Sequence, residues 1–150
     1  ARRVAELINA VEDTLKLKRS GAELVAYNRA IQANPKDAEA FKQRANALVE
    51  LKRYTEALND YEYALELNPE DVETILTRAS LYHDLDRFDE AVAAYDRALE
   101  LKPDDAEVVT QRGNALLSLG KQKEALDAFN RAIELDPKQA EAFNERGRVY

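Results

Sequence analysis

The 150-residue chain contains no Cys, no Met and no Trp, a single His, and only four Gly and four Pro. Without Cys there is no disulfide framework, no thiolate nucleophile and no zinc knuckle, and His83 alone cannot form an HExxH pair. The four glycines, Gly21, Gly113, Gly120 and Gly147, are isolated, so no phosphate-cradling loop exists, and Ser20, Ser80 and Ser118 have no nucleophile elbow around them. Positive charge is also short: 22 Lys and Arg stand against 29 Asp and Glu, a net charge of −7. That balance disfavours nucleic acid and anionic membrane surfaces, which call for a surplus of Lys and Arg. No stretch approaches the 18 apolar residues of a membrane span, and the N-terminus has no signal-peptide core. These absences predict no metal, no cofactor, no membrane insertion and no catalysis.

What remains is helix composition, rich in Ala, Leu, Glu, Lys and Arg, and it repeats. Pro35, Pro69, Pro103 and Pro137 are each 34 residues apart. Leu17, Leu51, Leu85 and Leu119 keep the same phase, as do Ala30, Ala64, Ala98 and Ala132, and Tyr27, Tyr61, Tyr95 and Phe129. The repeat divides a single domain, residues 1–150, into units 4–37, 38–71, 72–105 and 106–139, with 140–150 opening a fifth. Within a unit, Phe41, Ala45, Leu48 and Leu51, then Ala57, Leu58, Tyr61, Ala64 and Leu65, have helical spacing. Each unit is therefore expected to hold two short amphipathic helices, separated at Lys52-Arg53-Tyr54 and its equivalents and closed by Asn68-Pro69 and its equivalents. Asp37, Asp71 and Asp105 stand where they can cap the next first helix. The recurring small residues, Ala45, Ala79 and Gly113 on first helices and Ala57, Ala91 and Ala125 on second helices, mark close approach. No pair can bury its apolar face alone, so stacking into a right-handed superhelical solenoid of antiparallel helix pairs is expected, all-α and with a concave face. The first unit is the least regular, with Glu23 in the small-Ala place and Thr14 in the Tyr place, so it is expected to be irregular or a cap.

The pattern resembles the tetratricopeptide repeat over essentially the whole chain. It stands as Phe41-x2-Arg44-Ala45-x2-Leu48…Ala57-x3-Tyr61…Pro69, as Ile75-x2-Arg78-Ala79-x2-Tyr82…Ala91-x3-Tyr95…Pro103, and as Val109-x2-Arg112-Gly113-x2-Leu116…Ala125-x3-Phe129…Pro137. A partial copy, Phe143-x2-Arg146-Gly147-x2-Tyr150, follows. The resemblance implies a non-catalytic protein-interaction scaffold that takes a peptide or protein segment in its concave groove. It places Lys42, Gln43 and Asn46, then Thr77, Ser80 and His83, then Thr110, Gln111 and Asn114 on that face. Amides there offer both donor and acceptor to a peptide backbone. Within the family, the carboxylate-clamp subtype fits poorly: Lys42 and Asn46 match, but Thr77, Glu107 and Gln111 stand where Asn, Lys and Arg are required.

Arg44, Arg78, Arg112 and Arg146 recur where the family more often has Leu. A guanidinium ladder for an anionic chain is one reading. The other lays each stem across a helix interface and pairs it with Glu62, Asp96 or Asp60, as the half-buried position and the net charge of −7 favour. Two further functional classes stay open: a substrate-recruiting arm of a larger enzyme such as a glycosyltransferase, and a structural segment that self-associates through its open ends. The chain starts without Met and stops mid-pattern, so it is expected to be a piece of a longer protein; the strings Arg44-Ala-Asn-Ala-Leu48 and Arg112-Gly-Asn-Ala-Leu116 resemble bacterial repeats of the family, and a bacterial, cytoplasmic protein is expected.

Overall fold

The structure, a computed structural model, describes residues 1–138 and 140–149. Tyr150, the last residue of the partial motif, lies outside the described residues. Among those described there are eight helices and no strand: α1 (Arg2–Ala33), α2 (Ala38–Glu50), α3 (Tyr54–Leu67), α4 (Val72–Asp84), α5 (Phe88–Leu101), α6 (Ala106–Ser118), α7 (Gln122–Leu135) and α8 (Ala140–Val149). The chain divides into two compact units, residues 1–69 and 70–150, each taken by itself below.

Local chemistry sets the helix ends in both units. Asp37 accepts from the Ala40 N–H, Asp71 from that of Thr74 and Asp105 from that of Val108, so each first helix starts on an Asp cap. Glu39, Glu73 and Glu107 occupy the first turns, where the helix dipole favours negative charge. First helices end in a left-handed residue: Lys52 at φ 59°, Asp86 at φ 58° and Gly120 at φ 76°. The next N–H then returns to the helix, from Arg53 to Leu48, from Arg87 to Tyr82 and from Lys121 to Leu116, which closes a Schellman turn. Only glycine adopts that conformation freely.

In the unit of residues 1–69, α2 and α3 form an antiparallel pair around Ala45, Ala47 and Leu48 from one helix and Ala57, Leu58, Tyr61 and Ala64 from the other, all buried. Burying a Leu or an aromatic side chain contributes about 1.5–3 kcal/mol, so this short pair depends on a few large residues set among alanines. The region corresponding to the first repeat departs from the helix-pair pattern. It is one continuous 32-residue helix, α1, running straight through Leu17-Lys18-Arg19, although the same tripeptide turns the chain at Leu51-Lys52-Arg53. The physical reason is Glu23: its equivalents Ala57, Ala91 and Ala125 have no exposed surface, and folding back would bury a carboxylate there. Ser20, Leu24 and Tyr27 line the α2-facing side of α1.

In the unit of residues 70–150, α4 with α5 and α6 with α7 repeat the pair, and α8 packs on α7 and α6. Ile75 and Ala79, Ala91 and Tyr95, Val109 and Leu116, and Ala125 and Phe129 are buried. Gly113 packs so closely on the Phe129 ring that a Cβ there would lie 2.5 Å from a ring carbon.

Candidate functional site

The repeat phase puts the nine candidate residues on first helices, and the structure shows what each one meets. In unit 1–69, Gln43 and Asn46 of α2 line a small pocket that α1 closes with Lys16, Arg19 and Glu23. Gln43 Nε2 donates to Glu39 Oε1 at 2.6 Å. The Asn46 carbonyl accepts from the Tyr61 hydroxyl of α3 at 2.5 Å, which fixes the amide. Burial pushes the Tyr61 phenol up to about 12, so it is a donor throughout the neutral range. Lys42 is buried and pairs with Glu39 at 3.8 Å, so it offers a ligand little surface.

In unit 70–150 the positions diverge. Ser80, equivalent to Asn46, is hydrogen-bonded to Tyr95, whose phenol is likewise raised by burial. Thr77 is half-buried and its hydroxyl donates to the Glu73 carbonyl at 2.8 Å. His83 packs edge-on against Phe88, centroids 5.2 Å apart, and its Nε2 is buried without a hydrogen-bond partner among the described residues. Thr110 has no exposed surface; its hydroxyl donates to the Ala106 carbonyl at 2.9 Å, so it acts as packing. Gln111 is half-buried. Asn114 donates from Nδ2 to Glu141 of α8 at 2.9 Å, while its Oδ1 is buried and has no partner among the described residues. Phe129 stands where Tyr61 does, and it has no hydroxyl to donate.

Two features escaped the sequence reading. The bond between the second-helix Tyr and the first-helix Asn or Ser, a 15-residue spacing, joins two series that are each visible in the sequence but not as partners. Glu141 falls in the first turn of α8, as its repeat phase implies, and it also reaches Asn114 of the neighbouring first helix, which phase does not reveal.

Three of the four arginines in the series form side-chain pairs; Arg78 does not, its Nε being buried without a hydrogen-bond partner among the described residues. Arg44 grips Asp60 with two bonds of 2.7 Å and Asn28 with a third of 3.1 Å, so one guanidinium joins α1, α2 and α3. That bond to Asp60 raises the already high Arg44 pKa against the opposing effect of burial. Arg112 bonds Asp96 and Arg146 bonds Asn130, in each case on the preceding second helix. Arg78 lies over the Tyr82 ring at 5.7 Å. No cluster of three metal-ligating side chains occurs among the described residues.

The tetratricopeptide repeat family model matches residues 24–72, 42–106, 76–140 and 110–150, and so tiles most of the chain. The chain belongs to the tetratricopeptide repeat family. Among solved structures it is similar to the first tetratricopeptide domain of Spaghetti (RPAP3) bound to the HSP90 peptide SRMEEVD, at 28% identity and TM-score 0.67 over 75% of this chain and 89% of that one. YrrB, a tetratricopeptide protein with an unusual peptide-binding site, matches at 29% identity and TM-score 0.76 over 95% of this chain and 72% of that one. MamA from Desulfovibrio magneticus RS-1 shares the fold at 19% identity and TM-score 0.79, over 97% of this chain and 82% of that one. Among curated proteins no match is found. The tetratricopeptide architecture here is that of a protein-interaction scaffold, and no described helix is long and apolar enough to cross a membrane.

Proposed function

We propose that this tetratricopeptide domain binds an extended peptide or protein segment through the polar side chains of its first helices, without catalysis. The observation that carries the reading is Asn114: a buried amide oxygen with no partner among the described residues, beside an amide nitrogen already held by Glu141. Oδ1 has almost no accessible surface, so a peptide N–H supplies the missing donor only when the side chains covering it move aside, and an unmet buried acceptor costs about 1–3 kcal/mol until then. Asn46 and Gln43 offer amides in the pocket between α1 and α2. Two solved relatives are described by the peptides or peptide site they carry, which supports a peptide as ligand class. Arg44 and Arg112 are held in internal ion pairs, which argues against an anionic chain at those two positions.

The test selects peptides from a random library on the immobilised chain and measures their affinity by calorimetry. Asn114→Ala is expected to weaken peptides held by the unit of residues 70–150 about tenfold, and Gln43→Ala those held by the unit of residues 1–69, with little change between 50 and 300 mM salt, because the lost contacts are neutral hydrogen bonds. Asn46 is left intact in this test, since removing it orphans Tyr61. Peptides whose affinity neither variant changes sink the reading. The acidic peptide SRMEEVD is expected not to saturate the chain below about 1 mM, since exposed Glu107 occupies a clamp position that requires a Lys.

A further inference from the structure

The face of α1 opposite α2 has no partner within its unit. Val4, Ile8, Val11 and Leu15 lie on it at spacings of four, three and four residues, and each is between 52 and 61% exposed. The same alternation continues through Lys18, Ala22, Val25 and Arg29, which makes almost four heptads of one seam along a single continuous helix. Apart from α1's own seam, the α2-facing residues Ser20, Leu24 and Tyr27 fall on the far side of the helix, so a partner on the seam meets no obstruction from α2.

We infer that this seam pairs with α1 of a second copy, as an antiparallel two-fold coiled coil. The order of the residues selects both the partner and the direction. Antiparallel pairing centred between Lys16 and Leu17 sets Ile8 against Val25 of the second copy and Val11 against Ala22, large against small. It sets Lys18 beside Leu15, where its stem can pack and its ammonium reach solvent. Parallel pairing would oppose Lys18 to Lys18 and Arg29 to Arg29 in the seam itself, two like-charge contacts. Flanking charge agrees: in the antiparallel arrangement Glu12 of each copy comes to the same level and side as Arg19 of the other, which exchanges its 4.0 Å contact with Glu23 of its own helix for one of two symmetric ion pairs. In the parallel arrangement Glu12 meets Leu7 and Arg19 meets Thr14. The pairing strip is on the order of 40 Å long and 10 Å wide on each copy, about 800 Å² in all, which is below the range of stable specific interfaces, so a weak, reversible dimer is expected.

The chain's lack of Cys makes the test direct. Sedimentation equilibrium over about 1 to 500 µM should show a monomer–dimer exchange. Glu12→Arg should raise the dissociation constant about tenfold, and Glu12→Arg with Arg19→Glu should restore it to within about threefold, at unchanged helicity. Val11→Cys with Ala22→Cys should oxidise to a covalent dimer, whereas Ala22→Cys alone should not. A chain that stays monomeric throughout the range overturns the inference. So does cross-linking of Ala22→Cys alone, which reports a parallel pair, and so does an intramolecular Val11–Ala22 disulfide, which reports α1 folded back on itself.

Discussion

Asn46 and Asn114 occupy the same place two repeats apart, and one hydroxyl makes their chemistry different. Tyr61 donates to Asn46, whereas Phe129 has nothing to donate to Asn114. Asn46→Ala should therefore cost about 1–3 kcal/mol by leaving the buried Tyr61 hydroxyl unpaired. Adding Tyr61→Phe should recover most of that loss, because the orphaned group is removed with its partner; urea midpoints of the two single variants and the double variant measure the coupling. Without recovery, the short contact is not what holds Asn46 in place. Gly113 responds to the same ring for a different reason. Its missing Cβ would lie 2.5 Å from Phe129, which is wholly buried and cannot move aside. Overpacking of this kind costs about 1–3 kcal/mol, against the roughly 1 kcal/mol that Gly→Ala returns in a helix interior, so Gly113→Ala should lower the urea midpoint. Gly147→Ala, whose new Cβ meets no atom of another element within 4 Å among the described residues, should not.

At the scale of helices, equal sequence positions carry unequal loads. Arg44 holds Asp60 in a bidentate pair whose carboxylate side chain is only 6% exposed, and it also reaches Asn28 on α1. Arg112 holds an Asp96 that is 49% exposed. Removing Arg44 strands a buried charge, which costs about 3–5 kcal/mol, while removing Arg112 costs about 0–1 kcal/mol. Chemical denaturation of Arg44→Ala and Arg112→Ala should separate the two by that margin, and equal losses would contradict it. Helix limits from α2 onward were legible because caps, prolines and apolar spacing all recur in one phase, so local chemistry and repeat register agree. In α1 they disagree. Leu17-Lys18-Arg19 has the composition of the turn at Leu51-Lys52-Arg53, but a turn there needs a small residue at position 23 to receive the returning helix, and Glu23 is not one. The seam Val4–Arg29 was hidden for the same reason, since it spans two elements that the register treats as separate.

For the molecule as a whole, the residues that define the candidate surface were readable by phase, but their partners were not. Phase assigns Thr110 to the same face as Lys42, and cannot show that its hydroxyl is sealed against Ala106; it names Glu141 only as a helix-start acid, and cannot show the bond to Asn114. Contacts between helices depend on side-chain reach across an interface, which a one-dimensional period does not contain. The left-handed turns add a property of the array itself. Lys52, Asp86 and Gly120 place three different side chains in one backbone state under the same pattern of Schellman bonds, so the protein carries its own host–guest series. A non-glycine residue pays roughly 1–2 kcal/mol for that state, so Lys52→Gly and Asp86→Gly should each raise stability by about 1 kcal/mol in urea, and Gly120→Lys should lower it by a similar amount. Since none of the three turns includes a candidate binding residue, resistance to heat or denaturant becomes adjustable separately from recognition, in steps set by the number of repeats.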